Sequence, residues 1–205
     1  MKVPVSREHL NSVFDESAPG LDGAADLGAW LEGIPDNHRP EKMTPAAVLM
    51  PLIDHVDGMT VLLTQRTAHL SAHAGQISFP GGQFEDGDGT PENTALRETE
   101  EEIGLARANI EVLGRLGVRE TGTGYRVMPV VGVITPPFPV APNPNEVAEI
   151  FEVPLSFVID PANHRFETRI MSGIQRQFYA VPYGGYYIWG LTARLLVNLS
   201  ERLAR

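Results

Sequence analysis

The stretch Arg97-Glu98-Thr99-Glu100-Glu101-Glu102-Ile103-Gly104-Leu105, preceded by Phe79-Pro80-Gly81-Gly82, decides how this chain is read. Glu98, Glu101 and Glu102 follow an i, i+3, i+4 spacing, which on a helix advancing about 100° per residue places them in a narrow arc of one face. Like charges that close destabilise an isolated helix. A bound divalent cation removes that cost, because hard ions such as Mg²⁺ take oxygen ligands. The helix has a start and a stop: Thr90 can cap it, Pro91 suits its first position, Glu92 sits well in its first turn and Gly104 can end it. A charge run alone reads equally well as a solvated helix face. Its place directly after a Gly-Gly loop favours a site over a surface.

The rest of the chain narrows the chemistry. At 205 residues it is most simply one globular domain with a substantial core. There is no cysteine, which excludes disulfides, thiolate catalysis and Cys-based zinc sites. No apolar run approaches the ~20 residues that span a bilayer. Met1 to Ser6 lacks an apolar signal core and Glu201 to Arg205 resembles no sorting tail, so a cytoplasmic location is the expectation. A formal charge of −10 argues against a nucleic-acid surface. For an anionic substrate that charge needs metal ions as intermediaries. The partners expected are a small-molecule substrate and no nucleic acid or membrane, with a homodimer permitted.

Along the chain, residues 1–40 read as an N-terminal extension with one helix around Arg7 to Phe14. Leu10, Val13, Phe14, Leu27, Trp30 and Leu31 suit packing onto the domain at 41–205. The apolar run 46–53 reads as a buried strand, Asp57-Gly58 as a hairpin turn and 59–64 as the returning strand. Residues 110–116 and 127–134 read as further strands. Prolines at 136, 137, 139, 142 and 144 mark an irregular loop. A helix or helical turn is expected over 146–150 and a last helix over 189–203. Strands interleaved with two or three helices predict an α/β fold, a mixed sheet with helices on both sides.

The central stretch closely resembles the Nudix box: Gly, five residues, Glu, seven residues, then Arg-Glu-apolar-x-Glu-Glu-x-Gly-apolar. Arg97 to Leu105 fits every fixed position, with Thr99 in an apolar slot. Counting six from Gly82 reaches Asp88 instead of Glu, and eight residues separate Asp88 from Arg97. The extra residue falls in Glu85-Asp86-Gly87-Asp88-Gly89, where turn formers make insertion cheap. The resemblance implies an α/β/α sandwich and Mg²⁺- or Mn²⁺-dependent hydrolysis of a diphosphate. It also implies that Glu98 and Glu102 ligate metal, that Glu101 is a ligand to a further ion or a base, and that the Gly81 carbonyl completes coordination. Arg97 would brace the box loop. Glu146, after the proline loop, is the candidate base supplied from outside the box, with an ordinary surface charge the alternative.

Upstream, residues 62–82 resemble the element that precedes the box in the coenzyme A pyrophosphatase branch: Leu-Leu-Thr-x-Arg-Ser/Ala, three residues, Arg, three residues, Gly, three residues, Phe-Pro-Gly-Gly. Leu62, Leu63, Thr64, Arg66, Gly75 and Phe79 to Gly82 match, whereas Thr67 replaces Ser/Ala and Ser71 stands where Arg is expected. Residues 121–132 and 188–193 are similar to this branch too. The resemblance implies coenzyme A or a derivative as substrate, with 3′,5′-ADP and 4′-phosphopantetheine, or its acylated form, as products. Ser71 keeps ADP-ribose, a dinucleotide or a nucleoside triphosphate open. A non-catalytic ligand-sensing domain is the remaining reading, against which all three box carboxylates stand. Arg66, Gly82 and Tyr125 are the candidate substrate contacts. Arg66 could equally pair with an acid, Tyr125 either stacks on adenine or fills the core, and His69 and His73 read as loop hydrogen-bonders. Trp189 reads as core.

Overall fold

A computed structural model describes residues 5–14, 43–69, 74–171 and 174–204, without the side chains of 171 and 174. Its centre is a pair of long parallel strands, β1 (Thr44–His55) and β7 (Tyr125–Ile134), in register from Thr44↔Tyr125 to Ile53↔Ile134. Strands covered on both faces must be apolar throughout. In β1, Ala47, Leu49 and Ile53 face one core while Met50 and Leu52 face the other. β2 (Gly58–Arg66) returns antiparallel to β1, and Gly58 takes φ +124 at the turn beside Asp57. β5 (Glu111–Arg115) and β6 (Arg119–Glu120) pair with β7; β3 (Ile77–Ser78) pairs with β2, and β4 (Gly81–Gln83) with β1. Together with β8 (Val147–Pro154) on β2, these make a mixed eight-stranded sheet.

One face is covered by α2 (Pro91–Ile103), which buries Ala95 and Ile103 against Leu49, Leu62 and Val130. The other face carries α4 (Gly190–Leu203), whose Leu195, Leu196, Leu199 and Leu203 form an i, i+4 stripe. α1 (Arg7–Phe14) lies on that side, with Leu10 and Phe14 buried in the same cluster. The short α3 (Leu155–Val158) follows β8. A second sheet, β11-β10-β9, is built from β9 (Arg165–Met171), β10 (Ile174–Tyr183) and β11 (Tyr186–Trp189). The α/β architecture with helices on both faces is the one expected. No helix among the described residues is long and apolar enough to cross a membrane.

One expectation of the fold is corrected. Residues 147–150 are strand, not helix; only 144–146 form a turn, after which Val153 to Glu149 run antiparallel to Val61 to Gln65. Val147, Phe151 and Val153 are buried there, and pairing along the open edge of β2 outweighs local helix propensity. The hairpin β9–β10–β11 was not anticipated. Leu27, Trp30, Leu31, Ser71 and His73 lie outside the described residues, so the packing of 15–40 and the roles of those two loop residues stay as expectations.

Candidate active site

The site forms where β4, the loop 84–90 and α2 meet. Thr90 has extended backbone angles and its Oγ1 accepts from Asn93 N–H at 3.2 Å. Pro91 follows, and Gly104 ends the helix at φ +66, its N–H donating to Glu100 O. The start and stop read from sequence are therefore those of the helix.

The free carbonyls at the helix C-terminus dock the proline loop. Ala141 N–H donates to Ile103 O at 2.7 Å and Asn143 N–H to Glu102 O at 2.8 Å, satisfying groups that a helix end leaves open. This seats Glu146 beside the box. Its Oε1 accepts from Asn143 Nδ2 at 3.1 Å, its carbonyl accepts from Thr67 N–H, and Thr67 Oγ1 donates to Asn145 O. Glu146 lies close enough for its charge to raise the pKa of both Glu98 and Glu102.

Glu102 is 3 % exposed, accepts from Gly81 N–H at 3.2 Å and has Arg66 Nη1 3.5 Å from its Oε1. Burial lifts its pKa to about 7, against the pull of the Gly81 amide and Arg66. Burial also raises Glu98, whose carboxyl packs on the box glycines: a Cβ at Gly82 would lie 2.5 Å from it. Gly81 is equally constrained. It takes φ +152 within β4, and a Cβ there would lie 2.4 Å from Ala47 O. Gly81 is thus required by close approach to backbone, whereas at Gly82 the close neighbour is the Glu98 carboxylate.

Arg97 is the hub. It chelates Asp88 (Nε to Oδ1 2.9 Å, Nη2 to Oδ2 3.1 Å) and donates to Gln83 O, to Glu98 Oε1 at 3.0 Å and to Glu101 Oε2 at 3.1 Å. Asp88 is 7 % exposed and also accepts from Thr94 Oγ1 and Glu85 N–H. Its hydrogen bonds with Arg97 hold the carboxyl down at about 2. Asp88 thus ties the loop to α2 despite the changed residue type and spacing, a role the count from Gly82 did not assign. Tyr125 is half-buried, its hydroxyl accepting from Gln83 Nε2 at 3.1 Å. Glu101 is largely exposed and His69 is exposed on a turn, whereas Trp189, read as core, is only partly buried and sits edge-on to Phe178 outside both core clusters. Asn143, which orients Glu146, was missed; its place between Pro142 and Pro144 in the proline loop was the available signal.

Among the described residues no three acidic or histidine side chains are already drawn into a coordination shell. The donor set nonetheless fits a hard divalent ion. Glu98 and Glu102 are two desolvated carboxylates with raised pKa values on one helix face, with Glu146 within electrostatic reach, and a cation supplies what such oxygens lack.

Residues 43–170 match the NUDIX domain. Uncharacterized Nudix hydrolases named NudL are similar. That of Photorhabdus laumondii is 40 % identical over 158 residues, covering 77 % of this chain and 84 % of the relative. That of Yersinia pestis is 38 % identical over 159 residues, covering 78 % and 79 %. A crystal structure from Deinococcus radiodurans shares the fold at TM-score 0.50 and 15 % identity, covering 84 % of this chain and 91 % of that one.

Proposed function

The chain belongs to the Nudix hydrolase family, an enzyme family acting on nucleoside diphosphate derivatives with divalent ions such as Mg²⁺ or Mn²⁺, and on that premise we propose that it hydrolyses the diphosphate bond of coenzyme A or a derivative. The products are 3′,5′-ADP and 4′-phosphopantetheine or its acylated form. The observation offered for this reading is Arg66 lying 3.5 Å from Glu102, which is also the acid pairing weighed for it in the sequence. It sets the upstream element, matched at Leu62, Leu63, Thr64 and Arg66, against the box acids.

In this proposal Glu98 and Glu102 hold the divalent ion with the Gly81 carbonyl, and Glu101 serves a second ion or acts as base. Bound ions of this kind polarise the phosphoryl group and neutralise charge developing on its oxygens. Glu146, held by Asn143, takes the proton from the attacking water. Arg97 positions Glu98 and the loop, acting through its ion pairs rather than on substrate. Arg66 faces the diphosphate, Gly82 lets it approach and Tyr125 offers a face for adenine. Division into an extension (1–40) and a hydrolase domain (41–205), and a cytoplasmic location, complete the proposal; the burial of Leu10 and Phe14 supports the docking of the extension.

A panel with coenzyme A, ADP-ribose, NADH and nucleoside triphosphates tests it. The highest kcat/KM is expected for coenzyme A, with 3′,5′-ADP as product. Preference for ADP-ribose, a dinucleotide or a nucleoside triphosphate would overturn the substrate and favour the reading that Ser71, in place of arginine, keeps open.

Gly82→Ala gives a second test. The added methyl meets only the end of a flexible carboxylate, so thermal stability should change by less than about 1 kcal/mol. Displacing Glu98 from its seat should cost about 10²-fold in kcat. Wild-type kcat in a folded Gly82→Ala protein would remove Glu98 from the site.

A further inference from the structure

Strand β9 (Arg165–Met171) is an edge: among the described residues it pairs with β10 alone. Unprotected edges template pairing with other strands, and this one is long and regular, matched residue for residue to β10 from Arg165↔Ala180 to Met171↔Ile174. Four large apolar side chains are exposed among the described residues, and two of them, Phe166 (60 %) and Ile170 (78 %), sit symmetrically about Thr168 on this strand. Glu167 and Arg169 flank Thr168 with opposite charges on the other face.

We propose that β9 is the seam of a homodimer, pairing antiparallel with β9 of a second copy about a two-fold axis through Thr168. That register sets Phe166 opposite Ile170 of the second copy, Glu167 opposite its Arg169, and Thr168 opposite itself. An aromatic–β-branched pair, an opposite-charge pair and a threonine pair are the combinations that stabilise antiparallel neighbours. A two-fold contact must be self-complementary in this way. The neighbouring registers are not. An axis through Glu167 opposes Glu167 to itself and Arg165 to Arg169, and an axis through Arg169 opposes Arg169 to itself.

The charged groups are already held in place. Arg169 Nη2 donates to Glu167 Oε2 at 3.0 Å and to the Tyr187 hydroxyl at 2.6 Å, and its guanidinium lies 5.1 Å from the Tyr187 ring centre and 5.4 Å from that of Phe178. Tyr187 in turn donates to Glu167 at 2.7 Å. Pairing therefore orders little that is not ordered in one copy, which lowers the entropic cost of association. The two three-stranded sheets join into one continuous sheet, with Phe166 and Ile170 covered on one face and, on the other, two Glu167–Arg169 pairs at the centre with Arg165 opposite Met171 at each end.

Sedimentation velocity of the full chain in the micromolar range tests this. Wild type should run as a dimer. Glu167→Arg alone and Arg169→Glu alone each oppose like charges twice and should run as monomers. The double variant Glu167→Arg/Arg169→Glu, and an equimolar mixture of the two single variants, should recover the dimer. A monomeric wild type, single variants that stay dimeric, or a failure of both the mixture and the double variant to reassociate would each overturn the proposal. The mixture experiment separates the interface from local folding, since both single variants must then be competent to pair.

Discussion

Replacing Glu102 with Gln lowers kcat by about 10³-fold or more, the scale on which a preorganised electrostatic group at a reacting phosphoryl centre contributes, and it makes the ion-free protein more stable near neutral pH. The second half reports the burial of the acid, and the response to Mn²⁺ separates a ligand from a structural acid. Burial holds the Glu102 pKa at about 7, against an unfolded value of 4.5. Below pH 4.5 both states carry the proton and the residue has no effect on folding. Between pH 4.5 and 7 the unfolded chain ionises while the folded one does not, so stability falls as pH rises. Above 7 the full penalty is present. Integrated over that interval it is on the order of 3 kcal/mol. Glutamine carries no proton to lose, so it escapes the penalty.

Differential scanning fluorimetry between pH 4.5 and 8, without divalent ions and then with Mn²⁺, checks this. The Gln variant should melt above wild type at pH 8 and the two should converge toward pH 4.5. Mn²⁺ should raise the wild-type melting temperature, because a ligand that binds only the folded state stabilises it, and should shift the variant much less. A variant with wild-type kcat, or with an equal Mn²⁺ shift, would remove Glu102 from the ligand set.

The parts of this molecule that were legible in the sequence are those set by local chemistry. Thr90, Pro91 and Gly104 delimit α2 because capping, a fixed φ and a left-handed terminus are each decided within a few residues. β1 and β7 were legible because strands buried on both faces are apolar without interruption. Residues 147–150 were misread because Val147 and Ile150 fit a helical spacing as well as a strand. Only the edge of β2, more than 80 residues earlier in the chain, decides between them. The hairpin from β9 to β11 carried its own signal. Gly184-Gly185 between Tyr183 and Tyr186 is a two-residue turn, and Arg165 to Ile170 alternates charged or polar with apolar unevenly enough to hide the period.

At the site, the acids on α2 were legible from i, i+3, i+4 spacing alone. Glu146 was reachable only by resemblance, since what brings it to Glu98 and Glu102 is the docking of Ala141 and Asn143 on helix carbonyls. Backbone donors leave no trace in side-chain pattern. Arg66 was named, but its pairing with Glu102 across β2 and α2 depends on tertiary contact.

Asp88 is where counting from a motif and physical structure diverge most, and its removal has the second large effect. Asp88→Ala leaves Arg97 without its bidentate partner, strips Glu85 N–H of its acceptor and leaves Thr94 Oγ1 only its 3.3 Å bond to Thr90 O. Breaking a buried charged pair from one side costs 3–5 kcal/mol when no other partner is near. Here Arg97 keeps Glu98, Glu101 and Gln83 O, so about 2–3 kcal/mol is expected, a fall of roughly 5–10 °C in Tm for a chain of this size. Catalysis should fall by about 10–100-fold, because the loop that seats Gly82 against Glu98 is no longer tied to α2. Asp88→Asn keeps the shape and the Thr94 contact, and should recover part of the stability. The pH dependence fixes the cause. Hydrogen bonding to Arg97 lowers the Asp88 pKa to about 2 from 3.8, so its contribution is complete above pH 3.8 and is lost as pH falls through 2. Acid titrations of wild type and Asp88→Ala should therefore run apart above pH 4 and converge toward pH 2. Curves that stay parallel over that interval would show that the loss comes from packing, with the Asp88–Arg97 charge pair contributing nothing.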